Sequence, residues 1–130
     1  KEDLIERGRN AYNKNCAACH QPDGKGLPPA FPPIVAGVPF PAAEALTKPL
    51  EERGFFKDGK VVIGPVEKHI DIVLHGIPGT AMQPWQQLNN LDVAAIVTYE
   101  RNGMGNASGE VVQPGDVARA RGAVQQAAAQ

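Results

Sequence analysis

The run Cys16-Ala17-Ala18-Cys19-His20 constrains this chain more than any other feature of its sequence. A C-x-x-C-H run is the attachment pattern of a c-type haem. Two thiols separated by two residues on a helical turn can reach one porphyrin edge and add to its vinyl groups as thioethers. The histidine that follows directly would bind the iron as the proximal ligand. The motif therefore predicts a fold built around one covalent haem c.

Two other kinds of site share part of this motif. A bare C-x-x-C can be a redox dithiol or half of a zinc site. Zinc would need two more soft ligands, but the chain has no further cysteine, and His69 and His75 lie far from the motif. A thioredoxin-like dithiol would need a βαβ setting, whereas this stretch is helical and then proline-rich. The sequence favours haem over both.

Composition limits the remaining classes of function. A chain of 130 residues suits one domain, and its 5% aromatic content is thin for a core of that size. A covalent haem would supply the missing apolar mass. The net charge of −1 with mixed signs gives no indication of nucleic-acid binding. No apolar run approaches the length of a transmembrane helix, and no acid–base pair, Ser/His/Asp set or phosphate-binding glycine loop is visible.

Apolar spacing predicts three clear helices, at residues 3–15, 66–75 and 91–102. Prolines and glycines at 21–41 predict a rigid extended loop, and residues 42–53 can form a further helix. The prediction is an all-α fold of about three to five helices wrapped around the haem, with Pro/Gly-rich loops. Residues 1–113 would form this domain. The tail at 114–130 has few large apolar residues, so we expect it to be weakly helical or frayed.

Met82 is the candidate for the second axial ligand. It lies in a loop between two predicted helices. Prolines and glycines on both sides of it stiffen this loop, which could therefore hold a thioether against the iron. Met104 is flanked by glycines, and the mobile backbone that these give would hold an axial ligand poorly. His69 or His75 would instead give bis-histidine coordination at lower potential, and an open distal site would imply gas binding or peroxidase chemistry. The sequence favours the His20/Met82 pair.

The sequence resembles class I cytochromes c over most of its length. The matching features are Gly8-x-x-x-Tyr12-x-x-x-Cys16, the C-A-A-C-H motif, a Pro-Pro-Ile loop, Thr80-x-Met82 and a last helix with Tyr99. The resemblance implies that the first helix crosses the last one, with Gly8, Tyr12, Ile96 and Tyr99 at the contact.

The same resemblance assigns roles to three further residues near the haem. The carbonyl of Pro32 would accept the Nδ1 proton of His20. Thr80 would lie near a haem propionate. Trp85 would pack at the haem edge, or would be only a large core side chain.

A narrower resemblance is to the C-terminal cytochrome c domain of subunit II in bacterial caa-type cytochrome c oxidases. It is carried by Tyr99-Glu100-Arg101-Asn102, by Val111-Val112-Gln113-Pro114, and by the segments that begin at Gly64 and Pro78. The segment at about 38–60 is longer than that family leads us to expect, so we treat it as an insertion. Phe55 and Phe56 would either cover the lower haem edge or hold the inserted helix.

The predicted function is single-haem electron transfer. The resemblance implies a small soluble electron donor, and an acceptor that is the dinuclear copper centre of the parent oxidase. Its copper-binding domain and membrane subunits would be the partners. The alternatives are a free periplasmic class I cytochrome c and the haem subunit of a quinoprotein dehydrogenase. We expect a location in the periplasm or on the extracytoplasmic face of the bacterial inner membrane, with a signal or anchor upstream of Lys1.

Overall fold

The computed structural model describes the backbone of residues 2–129 and the side chains of residues 3–122. Six helices and one two-stranded antiparallel hairpin, in which Phe56 is opposite Val61, make up the described chain. The elements are α1 (Glu2–Asn15), α2 (Ala17–His20), α3 (Glu44–Glu52), β1 (Phe56–Lys57), β2 (Lys60–Val61), α4 (Val66–His75), α5 (Asn90–Asn102) and α6 (Pro114–Ala129). The all-α class is confirmed. The helix number exceeds the predicted three to five because α2 is a single turn and the tail forms α6.

Helices α1 and α5 meet where Gly8 was expected to pack. A Cβ atom at Gly8 would lie 2.0 Å from the carbonyl oxygen of Ala95 and 2.7 Å from Cβ of Tyr99, so only glycine allows this approach. The rings of Tyr12 and Tyr99 pack beside it, with centroids 5.5 Å apart. The predicted contact is confirmed, although Ala95, rather than Ile96, lies against the glycine.

The start of α6 is anchored to the core, which the sequence did not lead us to expect. Val117 is fully buried in the cluster that joins α4, α5 and α6. Arg121 donates a hydrogen bond to the carbonyl oxygen of Gln86 (3.0 Å) and another to Oδ1 of Asn90 (2.7 Å). One buried valine and one arginine therefore replace the large apolar residues that this tail lacks. Side chains beyond residue 122 lie outside the described part, and the boundary at residue 113 stays a prediction.

The inserted segment forms helix α3 and the β1–β2 hairpin. Its apolar side chains, including Phe40 and Leu50, pack with Val61 and Ile77 in a second core cluster. The hairpin turns at Asp58 and Gly59, which both have positive φ (53° and 79°), as a tight two-residue turn requires. The run Lys57-Asp58-Gly59-Lys60 is a turn signal in the sequence, but the strands could not be predicted, because two residues on each side are too few to show a period.

Candidate haem-binding site

One cleft gathers all seven residues that the sequence singled out for the haem site. They are Cys16, Cys19, His20, Pro32, Thr80, Met82 and Trp85. Most of the other lining side chains are apolar, and several come from the inserted segment and the residues just after it, namely Phe40, Leu46, Leu50, Phe55, Val61, Val62 and Ile63. We call the lining residues between 15 and 34 the proximal wall, and those between 69 and 106 the distal wall.

The proximal wall starts where α1 ends. The amide of Cys16 donates to the carbonyl oxygen of Tyr12 (2.7 Å), and the amide of His20 donates to the carbonyl oxygen of Cys16 (3.1 Å). The single turn of α2 therefore places both thiols and the imidazole on one short arc. Cys16 and Cys19 are both half-buried free thiols. This arrangement suits two bonds to one porphyrin edge.

His20 is oriented by the loop that follows it. Its Nδ1 lies 2.8 Å from the carbonyl oxygen of Pro32. A carbonyl only accepts, so Nδ1 carries the proton and donates, and Nε2 keeps its lone pair for a metal. The bond fixes the plane of the ring and increases its donor strength.

Gly26 makes this approach possible. A Cβ atom at Gly26 would lie 2.6 Å from the carbonyl oxygen of Pro32, and its amide donates to the carbonyl oxygen of His20 (2.9 Å). Its φ of 66° also favours glycine. Sequence reasoning rejected Gly24-x-Gly26 as a phosphate-binding loop, because it is too short and precedes no helix, and missed this role.

The loop that carries Met82 is held by local hydrogen bonds. The hydroxyl of Thr80 donates to the carbonyl oxygen of Ile77 (2.7 Å) and accepts from the amide of Met82 (3.2 Å). A Cβ atom at Gly76 would lie 2.4 Å from the carbonyl oxygen of Met82. These contacts place the half-buried Met82 in the cleft, against the second core cluster. The role that the structure shows for Thr80 is to fix this loop, and its nearness to a propionate stays a prediction.

The other candidate ligands lie elsewhere or are engaged. The sulfur of Met104 would lie only 2.8 Å from a Cβ atom at Gly24, and the side chain packs on the Tyr12 cluster outside the cleft lining. His75 pairs with Asp71 across one helical turn (3.0 Å). His69 does line the cleft, but neighbouring side chains contact both of its ring nitrogens. Of the two methionines, Met82 is the one that lines the cleft.

A buried polar network forms part of the distal wall. His69 Nε2 lies 2.8 Å from Oε1 of Glu100, and His69 Nδ1 lies 3.3 Å from Nη1 of Arg101. Arg101 also donates through Nε to Oε1 of Glu110 (3.0 Å). Asn106 donates to the carbonyl oxygens of Glu100 (2.8 Å) and Ile34 (3.0 Å), which ties the two walls together.

A sequence model for the family described as cytochrome c oxidase, cbb3-type, subunit III matches residues 3–99. The chain belongs to this cytochrome c family. Two curated relatives, both named cytochrome c-552 and both from Thermus thermophilus, are 29% identical to it over 102 residues. The matches cover 71% of this chain and 64% and 57% of the relatives, so the chain spans about three fifths of their length.

The family match and the structure agree on the fold of this cytochrome c domain. Its six described helices and single short hairpin form the class I cytochrome c fold, and cytochrome c domains use haem for electron transfer. Across residues 2–129, none of the helices combines the length and apolar character needed to cross a bilayer.

The cleft of the cytochrome c domain fits haem c by the chemistry of its donors. Two thiols on one turn, a histidine with Nε2 free, a thioether in a fixed loop and apolar side chains between them meet the needs of that group. Burial raises the pKa of the Cys16 thiol, and the negative charge of Glu100 raises it further. The pKa of Tyr12 is raised by the same two causes in the same order. Both groups are therefore neutral at pH 7, and the charge of Glu100 acts across the cleft.

Sequence reasoning did not place Glu100, Arg101 or Asn106 in the cleft. In the sequence, Glu100 follows the helical spacing of Val93, Ile96 and Val97, and all four residues are buried on α5. A carboxylate on a buried face was the available signal, because such a group needs a partner. Nothing local in the sequence showed that the partner is His69.

Proposed function

We propose that this cytochrome c domain binds one haem c, with thioether bonds from Cys16 and Cys19 and with His20 and Met82 as axial ligands, and that it carries single electrons. The observation that supports this most is the cleft itself. It joins the C-x-x-C-H turn to a methionine from a loop far along the chain, and it leaves Nε2 of His20 free.

Haem c, when bound, supplies a one-electron Fe(III)/Fe(II) couple. The protein sets the conditions for that couple. Pro32 holds His20 in one tautomer, and the neutral soft sulfur of Met82 favours a higher potential. Apolar side chains such as Phe40 and Leu50 exclude water from the cleft, which keeps the reorganisation energy small. His20 and Met82 would both hold the group, so the chemistry that it would supply here is electron transfer rather than substrate binding.

Within this function, we propose that the domain accepts electrons from a small soluble protein and passes them to the dinuclear copper centre of a caa-type cytochrome c oxidase. Its place would be the extracytoplasmic face of the bacterial inner membrane. The Tyr99–Asn102 and Val111–Pro114 resemblance supports this, and the matched family is also named for an oxidase subunit, although one of the cbb3 type. A tethered donor meets its acceptor at high effective concentration, so the contact between them can be small.

A free electron carrier is the second candidate. It is supported by the two relatives from Thermus thermophilus, which are named as cytochromes rather than as oxidase subunits. The gene upstream of Lys1 separates the two proposals. Two apolar spans and a β-rich domain with cysteine and histidine copper ligands would support the oxidase, whereas a cleavable signal peptide alone would support the free carrier.

The test of the core proposal is covalent attachment. The protein is produced with its haem, denatured and extracted with acid–acetone, and the mass of the polypeptide is then measured by mass spectrometry. We expect the haem mass to stay on the chain, and to be lost from Cys16→Ala/Cys19→Ala. A Met104→Ala protein is the matched control and should keep its haem. Haem that extracts from the unaltered chain would show that the thioether assignment is wrong.

A further inference from the structure

The distal wall places ionisable side chains where the rest of the cleft is mostly apolar. The side chain of Glu100 is 5% exposed, that of Arg101 is 4% exposed and that of His69 is 13% exposed. A buried ion is costly unless it is paired and hydrogen-bonded. Among the described residues, no buried side-chain nitrogen or oxygen lacks a hydrogen-bond partner. The network is therefore complete as built, and its protonation state can be read from its contacts.

The contacts define the tautomer of His69. Arginine only donates, so Nδ1 of His69, which lies 3.3 Å from Nη1 of Arg101, accepts and carries no proton. Nε2 then carries the single ring proton and donates it to Glu100 over 2.8 Å. The imidazole is neutral and Glu100 is the ionised partner. Because Glu110 pairs with Arg101, the group is left with one net negative charge, which is that of Glu100.

The other groups around this pair keep a fixed charge near neutral pH. Arg101 stays protonated. Tyr12, in the last turn of α1, is held neutral because burial raises its pKa and the charge of Glu100 raises it further. Cys16, just after α1, has no proton to lose once it forms the proposed thioether. Phe55 contacts the His69 ring edge-on, with centroids 5.6 Å apart, and carries no charge. Glu110, whose side chain is 45% exposed, pairs with Arg101 at the outer side of the network. His69 and Glu100 are the members with mostly buried side chains that can gain a proton.

We propose that His69 and Glu100 form a proton-accepting pair that links the redox state of the domain to pH. This inference rests on the proposed haem electron transfer. When the domain gains one electron, the cleft gains one negative charge, and the pair compensates by binding one proton from solvent. The only bond formed is N–H or O–H on the pair, and the reverse step releases the same proton.

The sign of the effect follows from this linkage. The midpoint potential is higher at low pH, where the pair holds its extra proton, and falls as pH rises until the proton is lost in both redox states. A unit charge about 10 Å away at an effective dielectric constant of about 20 changes a proton-binding constant by roughly tenfold. For a one-electron couple, a tenfold change is about 59 mV.

The experiment measures the midpoint potential of the haem-loaded protein by spectroelectrochemistry from about pH 5 to about pH 9. We expect a total fall of about 59 mV, which is a tenfold change in the proton-binding constant. Glu100→Gln keeps the size of the side chain and an oxygen that can accept from His69, but removes the charge. This variant should have a higher potential and no slope. Asp71→Asn is the matched control, because Asp71 pairs with His75 on the same helix at the surface, and it should keep the slope.

A pH-independent potential in the unaltered protein would overturn the inference, and so would a Glu100→Gln protein with the original slope. A second measurement needs no variant: the His69 ring is titrated by NMR in the oxidised and the reduced protein. If the proton concentration at the titration midpoint differs about tenfold between the oxidised and the reduced protein, the proposed proton-accepting pair is supported. Equal midpoints in the two redox states contradict it. A protein that takes up no haem would contradict the proposed function as well, whereas a reversible couple with a flat potential would contradict the linked pair alone.

Discussion

The two walls of the cleft are built in different ways. The proximal wall comes from one short stretch of chain, in which Gly26 and Pro32 both bond back to His20. The distal wall brings together His69 on α4, Met82 in the loop that follows and Glu100 on α5, three residues that lie far apart in the sequence. The proximal wall therefore depends on local backbone geometry, and the distal wall depends on how the helices pack. We expect changes in the first to affect haem attachment and changes in the second to affect the potential.

The largest effect should come from removing the distal ligand. Met82→Ala should abolish the weak near-infrared sulfur-to-iron band of the oxidised protein, since no other methionine lines the cleft among the described residues. Haem should stay attached, because its covalent bonds lie on the proximal wall. Near-infrared absorption and mass spectrometry on one sample measure both properties.

Met104→Ala is the control for that prediction. Its side chain packs beside Gly24 and the Tyr12 cluster, so the variant should keep the band. Loss of the band in Met104→Ala instead would assign the ligand to the Gly103–Gly105 loop. It would contradict the proposal that the second ligand comes from the Met82 loop of the distal wall.

A smaller effect, on the stability of the fold, is expected from a substitution at the contact between the helices that carry the two walls. Helix α1 leads into the proximal wall and α5 carries part of the distal wall, and they touch at Gly8. Gly8→Val would drive its side chain into the backbone of Ala95, an overpacking cost of roughly 1–3 kcal/mol. Thermal unfolding of the haem-loaded protein measures the loss.

Gly122 provides the comparison, because a Cβ atom there would meet nothing within 4 Å. Gly122→Ala should be neutral or stabilise the protein by up to about 1 kcal/mol, because alanine loses less backbone entropy on folding into a helix. Unchanged melting of Gly8→Val would contradict the close approach of α1 and α5.

The smallest effect should come from the Met82 loop. Thr80→Val removes a hydroxyl that joins Ile77 to Met82, and a typical hydrogen bond contributes about 1 kcal/mol. We expect a loss of about that size together with a weaker sulfur-to-iron band. Thr80→Ser restores the hydroxyl and should recover both. A fully stable Thr80→Val protein with an intact band would show that this loop is held by packing alone.

Local signals in the sequence were enough to predict the proximal wall. The C-x-x-C-H spacing fixes three of its residues, and the resemblance to class I cytochromes c supplied Pro32. The bounds of α4, Val66–His75, were also predicted, because apolar periodicity and the glycine that follows the helix agree. Met82 followed from elimination among a few possible ligands. Each of these inferences depends on residues that are close in sequence or rare in composition.

The polar part of the distal wall could not be predicted in the same way. A histidine on a helix is usually at the surface, yet His69 lies in the cleft because α4 packs across α5 beside Glu100. Likewise, Val117 anchors α6 to the core only because its side chain packs between α4 and α5. Such contacts join residues that are far apart in the chain. Periodicity shows which face of a helix is buried, but it does not show what lies against that face.

The turn of the β1–β2 hairpin has a practical consequence for work on electrodes. The chain has two cysteines, and the proposed haem uses both, so a third cysteine would provide the only reactive thiol. Lys57, which is exposed on β1 beside that turn, is a suitable position for it. Lys57→Cys would allow every molecule on a gold surface to be attached through the same point. Electron-transfer rates from such a monolayer would then describe one orientation instead of an average over many.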